Sequence, residues 1–281
     1  MLRTWSIVAA IAVGLFLGAV PLLDPDEGRN GEVAREMALT NDYVLPHLDG
    51  LPYLDKPIVY FAAEAAVMEV TGPTELAARL PAYLFTLATA ALVFWFARRL
   101  WGTDEASVAA IAYLSMPLVI AFARTVIFDS ALTFFIVLAI IAFYFAVESD
   151  ERKWSVIAWA SMGLGVLTKG PVALALPLLV AIPYAIWRRR FRRLWSILGL
   201  VLFVVVIAPW VIAVQQSVPD FLHYVLVTET AQRLTTGALK RTGPPWYFIP
   251  YVIGGALPWS LIALLPRGRG GEGRSMTTAA R

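Results

Sequence analysis

Two short polar segments hold the side chains of this chain that could transfer a proton or bind an anion. The first is residues 24–29, Asp-Pro-Asp-Glu-Gly-Arg, in which Asp26 lies three positions before Arg29. If a helix begins there, both side chains lie on nearby faces, and the Asp26 carboxylate can accept a proton from an attacking hydroxyl group. Aspartate is also common as a helix cap, and spacing alone favours that simpler interpretation.

The second polar segment is residues 52–57, Pro-Tyr-Leu-Asp-Lys-Pro. Its lysine, Lys56, is suited to bind a phosphate, and Asp55 is suited either to orient that lysine or to ligate a metal ion. The proline that follows is typical of the first turn of a helix. Capping of that helix is therefore an alternative explanation for the same residues.

Three further charged residues lie in nearly uncharged surroundings. Arg124 and Asp129 share a short polar turn, and Lys169 is a lone cation between two apolar segments. Ionisable groups so close to hydrocarbon are costly and usually mark a functional site. Two simpler explanations stay open, since Arg124 and Asp129 could pair with each other and Lys169 could extend to the membrane surface.

The composition indicates the elements that position these residues. The 281 residues are 59% hydrophobic and 15% charged, with a mean hydropathy of +0.70. This predicts an all-α integral membrane protein, and segments of sufficient length give eight spans. They are about 5–23, 79–97, 106–123, 130–147, 154–168, 171–187, 194–214 and 247–265. The first is long and lacks a small-residue cleavage pattern, so we expect a retained helix rather than a signal peptide.

The distribution of Lys and Arg predicts the orientation of the spans. It places the N-terminus and residues 188–193 in the cytoplasm, and residues 22–78 and 215–246 outside. The first outside loop holds eleven acidic residues. We expect two short helices in it, at 30–40 and 57–70, with the second lying in the membrane interface. Residues 266–281, rich in Gly and Arg, are predicted to form a disordered cytoplasmic tail.

Composition also excludes several functions. The chain has no cysteine, which excludes disulfides, thiol catalysis and zinc–thiolate sites. The net charge of +3 does not indicate nucleic acid binding, because the basic residues lie between hydrophobic spans. A Gly-rich nucleotide loop is lacking, so a nucleotide sugar is not indicated as the direct substrate.

Taken together, the polar segments resemble a known family. Residues 26–29, 32–37, 50–57, 77–81, 124–129 and 167–171 are similar to motifs of bacterial lipid-linked-sugar glycosyltransferases. These are the aminoarabinose transferase and protein O-mannosyltransferase relatives of the GT-C fold. The segments occur in order over most of residues 20–180, and in combination they are specific.

The resemblance implies roles for the acidic residues. Asp26 matches the acid that activates the acceptor, and Asp129 matches a second acidic residue that faces the same cavity. Asp55 occupies a position close to where a divalent metal ion has been placed in such enzymes.

It also implies roles for the cations and a function. Arg29 and Lys56 match residues that hold the polyprenyl phosphate, and Lys169 resembles another phosphate-side cation. Residues 1–265 would form a GT-C-like transferase domain in the bacterial inner membrane, with residues 22–78 as the periplasmic catalytic loop. The donor would be a polyprenyl-phosphate sugar, and the acceptor a lipid A-type glycolipid, a glycan or a protein outside the cytoplasm.

Two other functions stay open at this point. Members of the family usually continue through more membrane helices, so the resemblance also suggests a shortened chain or an inactive fragment that acts through a partner. A transporter or lipid flippase is the second alternative, but it should place polar sites near mid-membrane in paired halves. Here the charges collect in the first outside loop, and no internal repeat is evident.

Overall fold

The computed structural model describes residues 2–149, 151–223, 225, 244 and 246–265. Helices dominate these residues, and a two-stranded antiparallel hairpin accompanies them. The predicted tail at 266–281 and most of 226–245 lie outside the described part. The helices are α1 Leu2–Gly14, α2 Asp26–Thr40, α3 Ile58–Thr71, α4 Glu75–Leu100, α5 Thr103–Ser115, α6 Pro117–Ala123, α7 Asp129–Glu148, α8 Lys153–Lys169, α9 Val172–Trp187 and α10 Ile197–Ser217. Shorter helical pieces are Phe191–Leu194, Phe221–His223, Phe248–Gly255 and Trp259–Leu264, and the strands are β1 His47–Leu48 and β2 Leu51–Pro52.

Within the described residues, three helical segments are long and apolar enough to cross a membrane: α4, α7 and Phe191–Ser217. Helices α5 and α6 form a fourth if taken as one span, although they are bent by 67°. The bend occurs at Met116, which is extended because it precedes Pro117 and a residue before proline disfavours the helical region. The helical membrane architecture is thus confirmed, whereas the count of eight spans stays a prediction.

The first predicted span differs most from the structure. Helix α1 ends at Gly14, and residues 15–23 are non-helical, with turns at 15–18 in which Phe16 has φ +57°. Carbonyl groups released from a helix need other donors, and two arginines from later in the chain supply them. Arg124 donates to the carbonyls of Val13 and Leu15 at 2.8 and 2.7 Å, and Arg79 donates to those of Leu17, Val20 and Pro21 at 3.1, 2.6 and 3.0 Å.

Both helices predicted for the first outside loop are present, although α2 begins at Asp26 rather than near residue 30. Helix α2 buries Val33 and Met37, and α3 buries Tyr60 and Phe61 in the same core cluster. Burial of such a side chain contributes about 1.5–3 kcal/mol. The loop is therefore a packed layer, and its apolar core also includes Ala78 of α4 and Phe128, which precedes α7.

Helices α7 and α8 form an antiparallel hairpin in a second core that contains Phe143, Trp159 and Met162. Gly199 of α10 permits the close approach there, since a Cβ at that position would lie 2.9 Å from the Trp159 ring. In an antiparallel hairpin the first residue of α7 lies near the last residue of α8. The fold thereby brings Asp129 and Lys169 to the same end.

Candidate active site

A buried ion pair fixes the start of α2. Glu27 and Arg79 have side chains only 2% and 4% exposed, and their contacts measure 2.8 and 3.0 Å. The Glu27 carboxylate also accepts hydrogen bonds from the backbone N–H groups of Leu23 and Val126, each at 2.8 Å. Burial acts to raise the pKa of Glu27, but the hydrogen bonds from Arg79 and these two N–H groups outweigh it, and the pKa is lowered.

A second contact ties α2 to the same stretch of chain. The amide of Asn30 donates to the carbonyl of Val126 at 3.3 Å, so both backbone groups of Val126 are held by side chains of α2. Val126 lies three residues before Asp129. The two contacts therefore set the position of the start of α2 relative to the start of α7.

Asp26 and Arg29 form a direct ion pair on the outer side of α2. This confirms that they lie on neighbouring helical faces. The Asp26 side chain is 75% exposed and that of Arg29 is 39% exposed. The Nε atom of Arg29, by contrast, is buried and has no hydrogen-bond acceptor within the described residues. Arg29 thus holds one carboxylate and retains an unused donor.

Tyr53 brings the two polar segments together. Its hydroxyl lies 3.5 Å from Asp55 Oδ2, and the Lys56 ammonium donates to the Asp55 carbonyl at 2.8 Å. Burial, together with the Asp55 and Asp26 carboxylates, raises the pKa of Tyr53 to about 12, while Arg29 acts against this. The ring is therefore surrounded by charged residues from both segments.

Aromatic contacts connect this cluster to α7. Tyr53 meets Phe61 edge-on with ring centroids 6.0 Å apart, and Phe61 meets Phe128 at 5.0 Å. The residue after Phe128 is Asp129, which pairs with Lys169 at 2.6 Å. Both side chains of this pair are about one-quarter to one-third exposed, at 26% and 30%. The proposal that Arg124 pairs with Asp129 is wrong, because Arg124 binds backbone carbonyls near the end of α1.

Three buried residues at this site did not figure among the predicted site residues: Glu27, Arg79 and Glu64. Glu27 could have been found from helical spacing, since it precedes Asn30 and Ala34 on the face that α2 buries. Glu64 of α3 is fully buried, and neither carboxylate oxygen has a hydrogen-bond partner in the described chain. Burial, with a smaller contribution from Glu27, raises its pKa well above the usual range.

The donor set does not fit a protein-built metal site. Within the described residues no group of three or more His, Cys, Asp or Glu side chains is arranged to hold an ion. Asp55 offers one carboxylate, which lies 3.5 Å from the Tyr53 hydroxyl, and the Lys56 ammonium binds the backbone carbonyl of Asp55. The described residues therefore do not by themselves build a metal site at Asp55.

The fold and the site together define a helical membrane protein whose candidate site residues lie at or just before the starts of α2, α3 and α7 and at the end of α8. Residues 55–212 match the dolichyl-phosphate-mannose-protein mannosyltransferase family. That match covers more than half of the chain, and the chain belongs to this family.

Relatives with known names extend the similarity. The undecaprenyl phosphate-alpha-4-amino-4-deoxy-L-arabinose arabinosyl transferase of Erwinia tasmaniensis is 34% identical over 252 residues, which is 87% of this chain and 45% of that protein. Transferase 1 of the same name from Pseudomonas fluorescens is 33% identical over 280 residues, 95% of this chain and 51% of that protein. The chain thus spans about half the length of these relatives.

The structure resembles ArnT from Cupriavidus metallidurans, solved bound to undecaprenyl phosphate. The TM-score is 0.86 at 32% identity, over 92% of this chain and 49% of that protein. Against the apo form of the same protein the TM-score is 0.83. At this identity and coverage the helical arrangement described above is that of the corresponding half of ArnT.

Proposed function

We propose that this protein is a membrane glycosyltransferase that moves a sugar from a polyprenyl-phosphate donor to an acceptor outside the cytoplasm. The observation that carries the proposal is the grouping of Asp26, Arg29 and Asp55 around Tyr53, with Lys56 next in the chain after Asp55. The Glu27–Arg79 pair fixes the start of α2, which carries Asp26 and Arg29. The similarity to a protein solved with undecaprenyl phosphate supports the choice of donor.

In the proposed reaction an acceptor hydroxyl attacks the anomeric carbon of the donor sugar. The bond from that carbon to the phosphate oxygen breaks, and the lipid phosphate leaves with the bonding electrons. Asp26 takes the hydroxyl proton, and its exposure leaves it open to an acceptor. Asp129 is the second carboxylate proposed for the same cavity. A single displacement inverts the anomeric configuration.

The cations are proposed to bind and stabilise the leaving phosphate. Arg29 offers a guanidinium group on a side chain that is 39% exposed, and Lys56 offers an ammonium group two residues before α3 begins. Lys169 is paired with Asp129, and it would have to leave that carboxylate in order to bind a phosphate. Cations fixed where negative charge develops lower the barrier because the protein need not reorganise during the reaction.

We also propose the orientation. The charged cluster would face the periplasm of a bacterial inner membrane, with the N-terminus in the cytoplasm. Activated sugars there are linked to lipids, which fits this donor. A lipid A-type glycolipid, a glycan or a protein would be the acceptor.

The first test measures binding and transfer with the purified chain in bilayer nanodiscs. Radiolabelled undecaprenyl-phosphate sugar is the donor, and Lys56→Ala is compared with Lys153→Ala, an exposed lysine at the start of α8. We expect Lys56→Ala to abolish donor binding or transfer and Lys153→Ala to retain both. Wild-type transfer by Lys56→Ala would remove Lys56 from phosphate binding.

The second test concerns the proposed base. Asp26→Asn keeps the size of the side chain and should lower turnover by about 10²- to 10⁴-fold. Asp24→Asn, two residues earlier, should have little effect. Equal turnover of Asp26→Asn and wild type would contradict the mechanism. Movement of the lipid across a vesicle bilayer without sugar transfer would instead favour a flippase.

A further inference from the structure

A cationic pocket lies at the end of the α7–α8 hairpin opposite the candidate active site. Helix α7 runs for 20 residues from Asp129 to Glu148, and at about 1.5 Å per residue it is about 30 Å long. That length matches the hydrocarbon core of a bilayer. Glu148 pairs with Arg188 at 2.7 Å. The arginines at 188–193 are thus about one membrane thickness from Asp129.

These arginines fall into two groups. Arg188 holds Glu148, Arg190 donates to the Val147 carbonyl at 2.8 Å, and Arg193 donates to the Ser149 carbonyl at 3.3 Å. They fasten the turn after α9 to the end of α7. Arg189 and Arg192 are exposed, and no side-chain hydrogen bond or ion pair holds either guanidinium in the described part of the chain.

One of these two arginines has an unusual backbone conformation. Arg189 has φ +55°, at the position after α9 where a helix usually ends on glycine. The N–H of Arg190 closes the turn on the Ala185 carbonyl at 2.8 Å. The left-handed region disfavours residues that have a side chain, so arginine is unusual at this position.

The pocket that results has the chemistry of a lipid headgroup site. Its volume is about 480 Å³, and it is lined by Ile186, Arg189, Arg190, Phe191, Arg192 and Arg193. Large apolar side chains are exposed beside it, with Trp187 at 72% and Trp195 at 44%. Exposed tryptophans at the end of a span are typical of the membrane–water interface.

We propose that this pocket binds the headgroup of an anionic phospholipid from the leaflet opposite the active site. Arg189 and Arg192 contact the phosphate, and the neighbouring aromatic rings contact the glycerol and upper acyl region. The rings select a lipid over a soluble anion, and the unpaired arginines select an anionic lipid over a zwitterionic one. The proposal does not depend on the transferase activity.

The test measures binding of phosphatidylglycerol to the purified chain in a mild detergent by native mass spectrometry, with phosphatidylcholine as the comparison lipid. The double variant R189Q/R192Q should weaken phosphatidylglycerol binding by about 10- to 30-fold, because each basic residue near the surface contributes about 1 kcal/mol. Phosphatidylcholine binding should not change. The single variant R192Q should give an intermediate loss.

The matched control is R98Q/R99Q, which removes two exposed arginines from the end of α4. It should keep wild-type binding of phosphatidylglycerol. The proposal is overturned if this control loses as much affinity, if R189Q/R192Q binds as wild type, or if inorganic phosphate at millimolar concentration displaces the lipid. Circular dichroism of each variant separates lost binding from lost folding, and R192Q provides a second folded variant if the double substitution unfolds.

Discussion

Removal of Arg79 should destabilise the chain more than removal of any exposed arginine. Arg79 makes two hydrogen bonds to Glu27 and three to carbonyls at positions 17, 20 and 21. Arg79→Met would leave the Glu27 carboxylate buried with only the N–H groups of Leu23 and Val126 as donors. Breaking a buried pair in this way costs about 3–5 kcal/mol.

The assay is thermal unfolding of the purified chain in a mild detergent. For a chain of this size 1 kcal/mol corresponds to about 2–4 °C in Tm, so the expected decrease is about 6–20 °C. The matched control is Arg35→Met. Arg35 also binds a glutamate three residues earlier through two hydrogen bonds, at 2.8 and 2.6 Å, but its side chain is 42% exposed. An exposed pair contributes about 0–1 kcal/mol, so this control should change Tm by only a few degrees.

A double substitution tests whether the pair itself is responsible. Glu27→Leu with Arg79→Met removes both charges, and the combined loss of stability should be smaller than the sum of the two single losses. Equal decreases in Tm for Arg79→Met and Arg35→Met would refute the argument. Strict additivity of the double variant would show that the two residues are not coupled.

Three further predictions concern the pH dependence, the second carboxylate and the topology. Because burial raises the pKa of Glu64, the folded chain keeps a proton that the unfolded chain releases above about pH 4.5, so the free energy of unfolding falls as the pH rises. Glu64→Gln should therefore reduce the change in Tm between about pH 5 and 8. A plot of Tm against pH that runs parallel to that of the wild type would contradict this. Asp129→Asn removes the charged partner of Lys169, so undecaprenyl phosphate should bind more tightly while sugar transfer falls. Weaker binding of undecaprenyl phosphate in a filter assay would contradict the proposed phosphate role of Lys169. A cysteine at Asp42 should react with an impermeant thiol reagent on intact cells and one at Phe191 should not; the reverse pattern would invert the orientation.

Sequence patterns were most informative where one local property decides the outcome. Hydrophobic length alone predicts that α4, α7 and α10 are spans, since a helix satisfies its own backbone wherever the chain is apolar for long enough. The i, i+3 spacing of Asp26 and Arg29 likewise predicts their contact, because both residues lie on the same helix.

Contacts between segments distant in sequence could be identified only from the fold. Asp129 pairs with Lys169 rather than Arg124 because α7 and α8 pack antiparallel, and that packing depends on a core shared with α10. Residues 15–23 are apolar enough for a helix, yet α1 ends at Gly14. Carbonyls at positions 13, 15, 17, 20 and 21 accept hydrogen bonds from Arg79 and Arg124 instead. These arginines lie more than fifty residues away in sequence, so no local pattern predicts the contacts.

The same difference between local motifs and long-range packing explains why the candidate site residues could be predicted and the residues that position them could not. Motifs of a few residues predict that carboxylates and cations collect at two helix starts, because those positions depend only on neighbouring residues. The burial of Glu27 against Arg79 depends on how the helices assemble. So do the contacts of Val126, whose N–H donates to Glu27 and whose carbonyl accepts from Asn30. Charge pairs inside a core form when burial removes water from both partners, and burial is a property of the assembled helices.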